Sequence, residues 1–275
     1  MILMKAIARA AIIFCLYGLG AGTVNAQSFE VNIMTGGPTG TYIQIGQDIA
    51  ALAAQAGRDN VNVVESAGSM ENIEAVKNRS HTQFGIVQSD VLDFIRTFRS
   101  EDPVMRSILR NTRYVYSLYK EEVQIVTTTS TGIATLLDLN GRTVGVGALN
   151  SGTNLTSTFL LEVAGVRPAR TVNVNAGDAL QLLLAGRIDA FIYVAGAPTK
   201  LLQDVSPNAG LRLVRVPGEI AGDYYGITSI RAGTYPWLKE DVETAAVRAV
   251  LMTYEYNPNR NAYFRESCDA VSEIT

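Results

Sequence analysis

Strand-like and helix-like patterns alternate along this chain, and the alternation limits the folds that it can adopt. Val31–Met34 is a short apolar run, and the apolar residues after it recur at helical spacing. The segments VNVVES, MENIEAVKNR, FGIVQ and SDVLDFIRTF continue the series as strand, helix, strand and helix. This βαβαβα order predicts a mostly parallel sheet covered by helices.

The same alternation restarts after a turn signal at Asn140 and Gly141. TVGVG, TVNVN and DAFIYVAG have strand patterns, and SGTNLTSTFLLEVAG and DALQLLLAG have helical patterns. RYVYSLYK and EEVQIVTTT, between the halves, are β-rich, as is YYGITSI near residues 224–230. A closing helix is predicted at residues 240–256. Two α/β lobes joined by β-rich crossings would leave a cleft between them, and ligands usually bind in such clefts.

The N-terminus has the pattern of an export signal. Lys5 and Arg9 give it a positive start, and the apolar run AIIFCLYGLG is shorter than the roughly 20 residues that span a bilayer. Val24 and Ala26 match a signal peptidase site, so we expect cleavage after Ala26; the alternative is a buried N-terminal helix. Because no small residues precede Cys15 as they precede a lipoprotein cysteine, we expect a soluble periplasmic protein.

The net charge limits the kinds of binding partner, and the cysteine content limits the disulfides that the chain can form. The formal net charge is −3, and losing the two basic residues of the export signal lowers it to −5. This argues against a nucleic-acid or anionic-membrane partner. Of the two cysteines only Cys268 remains after cleavage, so no intramolecular disulfide is expected.

Four similar stretches each follow a strand and open a helix: GGPTGTY (36–42), SAGSMEN (66–72), QSD (88–90) and NSGTN (150–154). A helix N-terminus offers unpaired N–H groups and a partial positive charge, and glycine lets a ligand approach that backbone. Together the stretches predict a site for an anionic group. The alternative for each stretch alone is simple helix capping, since Ser, Thr, Asp and Asn are good N-caps.

The sequence offers little for catalysis, and we predict no enzyme activity, cofactor or metal. The only histidine, His81, lies in the polar turn NRSHTQ and is expected to be an exposed loop residue. Asp90 could serve as a base, but it also suits the first turn of a helix electrostatically. GGPTGTY lacks the lysine of a P-loop, and GVGALNSG has Asn150 where a dinucleotide-binding motif has its third glycine.

Two tyrosines are candidates for closing over a ligand. Tyr42 follows the first glycine-rich loop, and Tyr193 ends a strand of the second half. Both are equally compatible with a place in the core, where the hydroxyl would need a hydrogen-bond partner.

Several long segments resemble the TAXI family, the solute-binding subunits of tripartite ATP-independent periplasmic (TRAP) transporters. They are TGGPTGTYIQIG, GSMENIEAVKN, FGIVQSDV, LNGRTVGVGALNSGT and GRIDAFIYVAGAP, and the resemblance runs from about residue 29 to the end. It implies a type II periplasmic-binding-protein fold with two α/β lobes and a β-rich hinge. It also implies capture of a small organic acid, such as glutamate, 2-oxoglutarate or a similar dicarboxylate, and delivery to membrane subunits that use an ion gradient.

The resemblance also implies the ligand contacts and the domain limits. The contacts would be Gly40, Thr41, Tyr42, Ser69, Asn72, Gln88, Ser89, Ser151, Gly152, Thr153 and Asn154, with Gly196 and Ala197 nearby. The domains would be residues 1–26 as signal peptide, 27–121 as the first part of lobe 1, 122–217 as lobe 2 and 218–275 as the return to lobe 1. Family members usually continue past CDAVSEIT, so the resemblance implies a truncated C-terminus. We expect a monomer.

Two other classes of protein remain alternatives. One is a group-transfer enzyme on the same two-lobed fold, which a nucleophilic cysteine or paired carboxylates at the cleft would favour. The other is a sensing module that reports ligand occupancy to a membrane kinase. Neighbouring genes would separate transport from sensing.

Overall fold

The structure is a computed structural model that describes residues 29–98 and 101–275, so the predicted signal peptide lies outside the described residues. Within these ranges, no helix combines the length and apolar character needed to cross a membrane. The strands are β1 Val31–Met34, β2 Val61–Val64, β3 Thr82–Gln88, β4 Thr112–Thr128, β5 Thr143–Gly145, β6 Arg170–Val172, β7 Ala190–Ala195, β8 Leu211–Val214, β9 Gly226–Ile230 and β10 Val242–Tyr254. The helices are α1 Thr41–Gln55, α2 Ser69–Asn78, α3 Ser89–Phe98, α4 Pro103–Asn111, α5 Gly152–Val163, α6 Ala176–Leu184, α7 Lys200–Gln203, α8 Gly218–Ala221 and α9 Ala262–Ile274.

The described strands form one sheet that runs through both halves of the chain. Its order is β2-β1-β3-β10-β4-β7-β5-β6, with β8 beside β4 and β9 beside β10. β1 pairs in parallel with β2 and β3, and β5 pairs in parallel with β6 and β7. The predicted mixed α/β architecture with two parallel groups of strands is therefore confirmed. We call the group at β1 the first lobe and the group at β5 the second lobe.

Two long antiparallel strands connect the lobes. β4 pairs with β10 over its first part, up to Glu122, and with β7 from Glu122 to Thr127. The two β-rich runs at the middle of the sequence are therefore a single strand that passes from one lobe to the other. Since β10 lies between β3 and β4, it provides the second connection.

The prediction of a helix at residues 240–256 is wrong, because Val242–Tyr254 is the strand β10. Most of its side chains are buried, on both faces of the sheet. A strand covered on both faces has a nearly continuous apolar sequence, which matches a helical pattern as well as a strand pattern. Pairing with β3, β4 and β9 decides between the two.

Separate apolar clusters fill the two lobes. In the first lobe, Ile33 and Phe84 pack with Leu251 of β10, and helices α2 and α3 cover the opposite face. In the second lobe, Ile192 packs with Val144 and Leu160. Residues 218–245 contribute to the second-lobe clusters, whereas the sequence prediction places them in the return to the first lobe. Ala221 and Tyr225, for example, pack in the same cluster as Leu160 and Ile192.

Candidate functional site

A small cavity lies where the two lobes meet, and its volume is about 90 Å³. Many of the residues predicted from the glycine-rich stretches line it together: Gly40, Thr41, Tyr42, Ser69, Gln88, Ser151, Gly152 and Thr153. Gly36, Gly37, Ala67, Gly68, Glu121, Tyr193, Val194 and Ala195 complete the wall. The tertiary fold thus brings stretches from both halves of the chain to one place.

Three helices begin at this cavity, and two of them lack a side-chain cap. α1 follows Gly40 and α2 follows Gly68, and neither glycine can supply a capping group. α5 is capped by Ser151, whose Oγ accepts a hydrogen bond of 3.0 Å from the Asn154 N–H. Helix N-termini carry partial positive charge and free N–H groups, so this wall of the cavity suits an anion.

The lobes touch each other around the cavity. The Met70 N–H of α2 donates to the Asn150 carbonyl across the cleft, at 3.2 Å. Gly68, with φ of 121°, adopts a backbone conformation that favours glycine, and a Cβ there would lie 3.5 Å from Ser151. A Cβ on Gly152 would lie 1.6 Å from Gln88 Oε1. Side chains are therefore small here because the two lobes approach closely.

A wider cleft opens from the inner cavity towards solvent, with a volume of about 600 Å³. The residues that line both are Gly37, Gly40, Ala67, Ser151, Thr153 and Tyr193. The outer cleft extends to the start of α6 at Asn175, which caps that helix. None of the described residues lining either space is a lysine or an arginine. Backbone N–H groups and neutral side chains are thus the groups available there to an anion.

Two predicted first-lobe contacts lie outside the cavity wall. Asn72 is fully buried, and its Nδ2 donates to the carbonyls of Thr35 and Ile86 at 2.6 and 2.7 Å. These bonds tie α2 to the ends of β1 and β3 and thereby position the loops around the cavity. Ser89 Oγ accepts a hydrogen bond of 3.2 Å from the Arg248 N–H, on a different surface.

Three predicted second-lobe contacts also lie just behind the wall. Asn154 Nδ2 donates to the Val146 carbonyl at 3.3 Å. The Gly196 carbonyl accepts a hydrogen bond of 3.4 Å from Thr41 Oγ1, which bridges the lobes. The Ala197 N–H donates to Glu122 Oε2 at 2.9 Å. These three residues do not face the cavity, and their hydrogen bonds hold the segments around it together.

A buried carboxyl group, absent from the sequence prediction, also lines the cavity. Glu121 on β4 is 1% exposed, and its Oε2 accepts a hydrogen bond of 2.9 Å from the Tyr42 hydroxyl. Burial raises the pKa of Glu121 well above its usual value, and the Tyr42 hydrogen bond opposes that shift. Burial also raises the pKa of Tyr42 and of Tyr193, with a further contribution from the Glu121 charge. Both candidate tyrosines are therefore at the cavity and carry neutral hydroxyls.

A signal for Glu121 existed in the sequence but was ambiguous. Two adjacent glutamates begin the β-rich run EEVQIVTTT, and in a strand adjacent side chains point to opposite faces. If the run were buried on both faces, both glutamate side chains had to be buried, as they are in the structure. Only the crossing of β4 between the lobes identifies Glu121 as the one that lines the cavity.

Asp90 lies at a second contact between the lobes, behind the cavity. Its Oδ2 accepts a hydrogen bond of 2.6 Å from Thr156 Oγ1 of α5, and its Oδ1 is buried without a partner. Burial raises the pKa of Asp90 to about 6, while the Thr156 hydrogen bond lowers it. Asp90 does not line the inner cavity, so its position does not suit a general base for a solute bound there.

The other candidate catalytic residues lie away from the cavity. The His81 ring packs against Phe29 and Tyr263, with centroid separations of 4.9 and 5.6 Å. Cys268 is a free, partly buried cysteine of α9. Among the described residues no group of His, Cys, Asp and Glu side chains is arranged to hold a metal ion. The cavity wall thus offers hydrogen-bonding groups and one carboxyl group.

Solved structures share this architecture. The Synechocystis PCC6803 CcmR regulatory domain, in complex with 2-PG, has a TM-score of 0.53 at 10% identity, covering 90% of this chain and 97% of its own. The P235GK mutant of ArgBP from T. maritima has a TM-score of 0.52 at 11% identity, and the match covers 90% of this chain and 89% of that protein. The alkanesulfonate-binding protein SsuA from Xanthomonas axonopodis pv. citri, bound to MOPS, has a TM-score of 0.52 at 13% identity. That match covers 90% of this chain and 72% of SsuA. The fold is therefore that of the type II periplasmic binding proteins.

The sequence assigns the chain within that class. Residues 33–264 match the NMT1-like family, and the chain belongs to this family. The matched segment includes every predicted ligand contact, from Gly40 to Ala197.

Proposed function

We propose that this protein is a periplasmic solute-binding protein that captures a small organic acid between its two lobes. The observation that carries the proposal is the meeting of three helix N-termini from both lobes at one cavity. N–H groups at such positions bind a carboxylate without a cationic side chain. ArgBP and SsuA, whose names describe arginine and alkanesulfonate binding, share the fold.

The proposed mechanism is capture by closure of the cleft. An open form admits the solute, and contacts from both lobes favour the closed form. The solute shifts the population only by its higher affinity for the closed state. The loss of water strengthens each polar contact inside the cavity. The closed protein then docks on its membrane partner and releases the solute.

The resemblance to the TAXI family supports a more specific version of this role. In that version the solute is glutamate, 2-oxoglutarate or a similar dicarboxylate, and the partner is the pair of membrane subunits of a TRAP transporter. The N-terminal pattern of Lys5, Arg9 and Ala26 supports export, so the mature protein would begin at Gln27.

Binding is tested on the mature protein. Native mass spectrometry after purification from the host identifies a retained solute, and calorimetry with glutamate, 2-oxoglutarate and related acids measures affinity. We expect about one solute bound per chain, recovered chemically unchanged. Conversion of the solute to a product would favour the group-transfer alternative, and failure of every acid to bind would contradict the proposal.

Transport is tested separately with the membrane subunits in proteoliposomes. We expect uptake that requires this protein and an ion gradient, and that proceeds without ATP. Uptake that depends on ATP would contradict the TRAP assignment while leaving solute binding intact.

A further inference from the structure

Glu121 is placed in the cavity in a way that the proposed anion site does not explain. It is 1% exposed and lies on β4, the strand that passes between the lobes. Tyr42 is the only described residue that donates a hydrogen bond to its side chain, through Oε2. The Oε1 atom has no hydrogen-bond partner among the described residues, while the side chain lines the cavity.

No cationic side chain lies beside Glu121, since no lysine or arginine is among the described residues that line the inner cavity or the outer cleft. Lys120, the residue before Glu121 on β4, is exposed, and its Nζ lies 3.5 Å from Glu122 Oε1 instead. Asp90 and Glu122 add negative charge to the surroundings. With no cation beside it, the buried Glu121 has a raised pKa, which favours the protonated carboxyl group. A cationic group on the solute would supply the missing partner for the carboxylate form.

The helix starts in the cavity wall indicate where the carboxylate of such a solute would lie relative to its cationic group. The uncapped start of α1 and the start of α5 suit a carboxylate, as argued above. An ammonium group beside Glu121 would stabilise its carboxylate form, whereas a second carboxylate would disfavour that form. The inner cavity of about 90 Å³ accepts a compact head group, and the outer cleft of about 600 Å³ accepts the remainder.

We infer that Glu121 recognises an ammonium group of the solute, so that the ligand is a zwitterionic amino acid rather than a 2-oxo acid. The carboxylate of the amino acid lies at the helix starts, and its ammonium group contacts Glu121. This inference rests on the proposed solute-binding function and names the chemical class of the solute.

Matched pairs of solutes that differ in the amine test the inference. Calorimetry at pH 7 compares L-glutamate with 2-oxoglutarate, L-alanine with pyruvate, and L-leucine with 4-methyl-2-oxopentanoate. For the wild-type protein we expect the amino acid of the pair that binds to have an affinity about 10- to 100-fold higher, the range for a hydrogen bond to a charged group. Glu121→Gln keeps the shape and removes the charge, so it should lose that preference.

Glu162→Gln is the control. Glu162 is an exposed glutamate of α5 that does not line the cavity, so this substitution removes one carboxylate charge away from the site. We expect it to keep the preference for the amino acid. Thermal unfolding of both variants shows whether they are folded.

The outcomes separate this inference from the proposed function. Equal or tighter binding of the 2-oxo acid to the wild-type protein would overturn the inference and leave the solute-binding function standing. An unchanged preference in folded Glu121→Gln would do the same. If no acid of any pair binds, the proposed function fails and the inference fails with it. The wild-type comparison needs no variant, so it decides even if Glu121→Gln does not fold.

Discussion

Thr156 on α5 donates a hydrogen bond of 2.6 Å to Asp90 Oδ2 on α3, and this bond joins the two lobes. The same threonine hydroxyl accepts a weaker bond of 3.5 Å from Gln88 Nε2, and Gln88 also lines the cavity. One second-lobe side chain thus contacts both the cavity wall and a buried first-lobe carboxyl group. The contact is available only while the lobes are together, so in the proposed mechanism it favours the closed form of the cleft.

Thr156→Val should weaken solute binding by about 10- to 100-fold. The substitution keeps the shape of the side chain but removes the donor to Asp90, and hydrogen bonds to charged groups contribute about 1.5–3 kcal/mol. Calorimetry on the mature protein measures the change. Thr158→Val is the control, because Thr158 Oγ1 bonds to the Asn154 carbonyl within the same helix. An unchanged affinity in Thr156→Val would show that this bond does not contribute to closure.

The stability of the protein should fall as pH rises from about 4 to about 6. Burial raises the pKa of Asp90 from 3.8 to about 6, so in this interval the folded protein binds more protons than the unfolded chain. The contribution of Asp90 to stability is therefore greatest below the lower pKa, falls by up to about 3 kcal/mol between the two values, and is constant above the upper pKa. Urea unfolding across this pH range measures the change.

Asp90→Asn should flatten this dependence. Asp48→Asn is the control, since Asp48 is an exposed aspartate of α1 that does not contribute to the shift of Asp90. A pH profile that is identical in the wild-type protein and Asp90→Asn would contradict the role given to Asp90. Glu121 contributes in the same direction, because its pKa is also raised by burial, and it is left intact in both variants.

Gly152→Ala should reduce solute affinity more than tenfold without destabilising α5. An added Cβ would lie 1.6 Å from Gln88 Oε1 and 2.6 Å from Ser69 Oγ, both in the first lobe. The side chains of Gln88 and Ser69, which line the cavity, would have to move, whereas alanine is favoured over glycine in a helix by about 1 kcal/mol. Calorimetry and urea unfolding measure the two effects. Thr158→Ala, on the exposed face of α5, should leave the affinity unchanged.

Ser151→Ala and Thr41→Val should separate stability from binding. Ser151 Oγ accepts from the Asn154 N–H and donates to the Ala148 carbonyl at 2.7 Å, so its loss should cost about 1 kcal/mol of unfolding free energy. Thr41 follows the cap of α1, and its hydroxyl reaches Gly196 across the cleft. Thr41→Val should lower affinity by about 2- to 10-fold and leave stability nearly unchanged. A loss of stability with unchanged affinity in Thr41→Val would show that Thr41 has a structural role instead.

Local patterns predicted much of the fold and part of the site. Alternation of strand and helix, with glycine-rich stretches at the starts of helices, depends on neighbouring residues and is visible in one sequence. Gly40, Ser69 and Gly152 could therefore be chosen as candidates, and the structure places them around one cavity. The same reasoning chose Asn72, whose small polar side chain instead ties α2 to the sheet.

The tertiary structure decided what depends on distant partners. Val242–Tyr254 is a strand because β3 and β4 lie on either side of it, 154 or more and 114 or more positions away in the chain at their nearest ends. Glu121 lines the cavity because β4 crosses between the lobes just where Tyr42 approaches from α1. Burial and pairing between remote segments leave no local periodicity. The sequence alone therefore indicated most of the elements, and the fold determined that Val242–Tyr254 is a strand and that Glu121 lines the cavity.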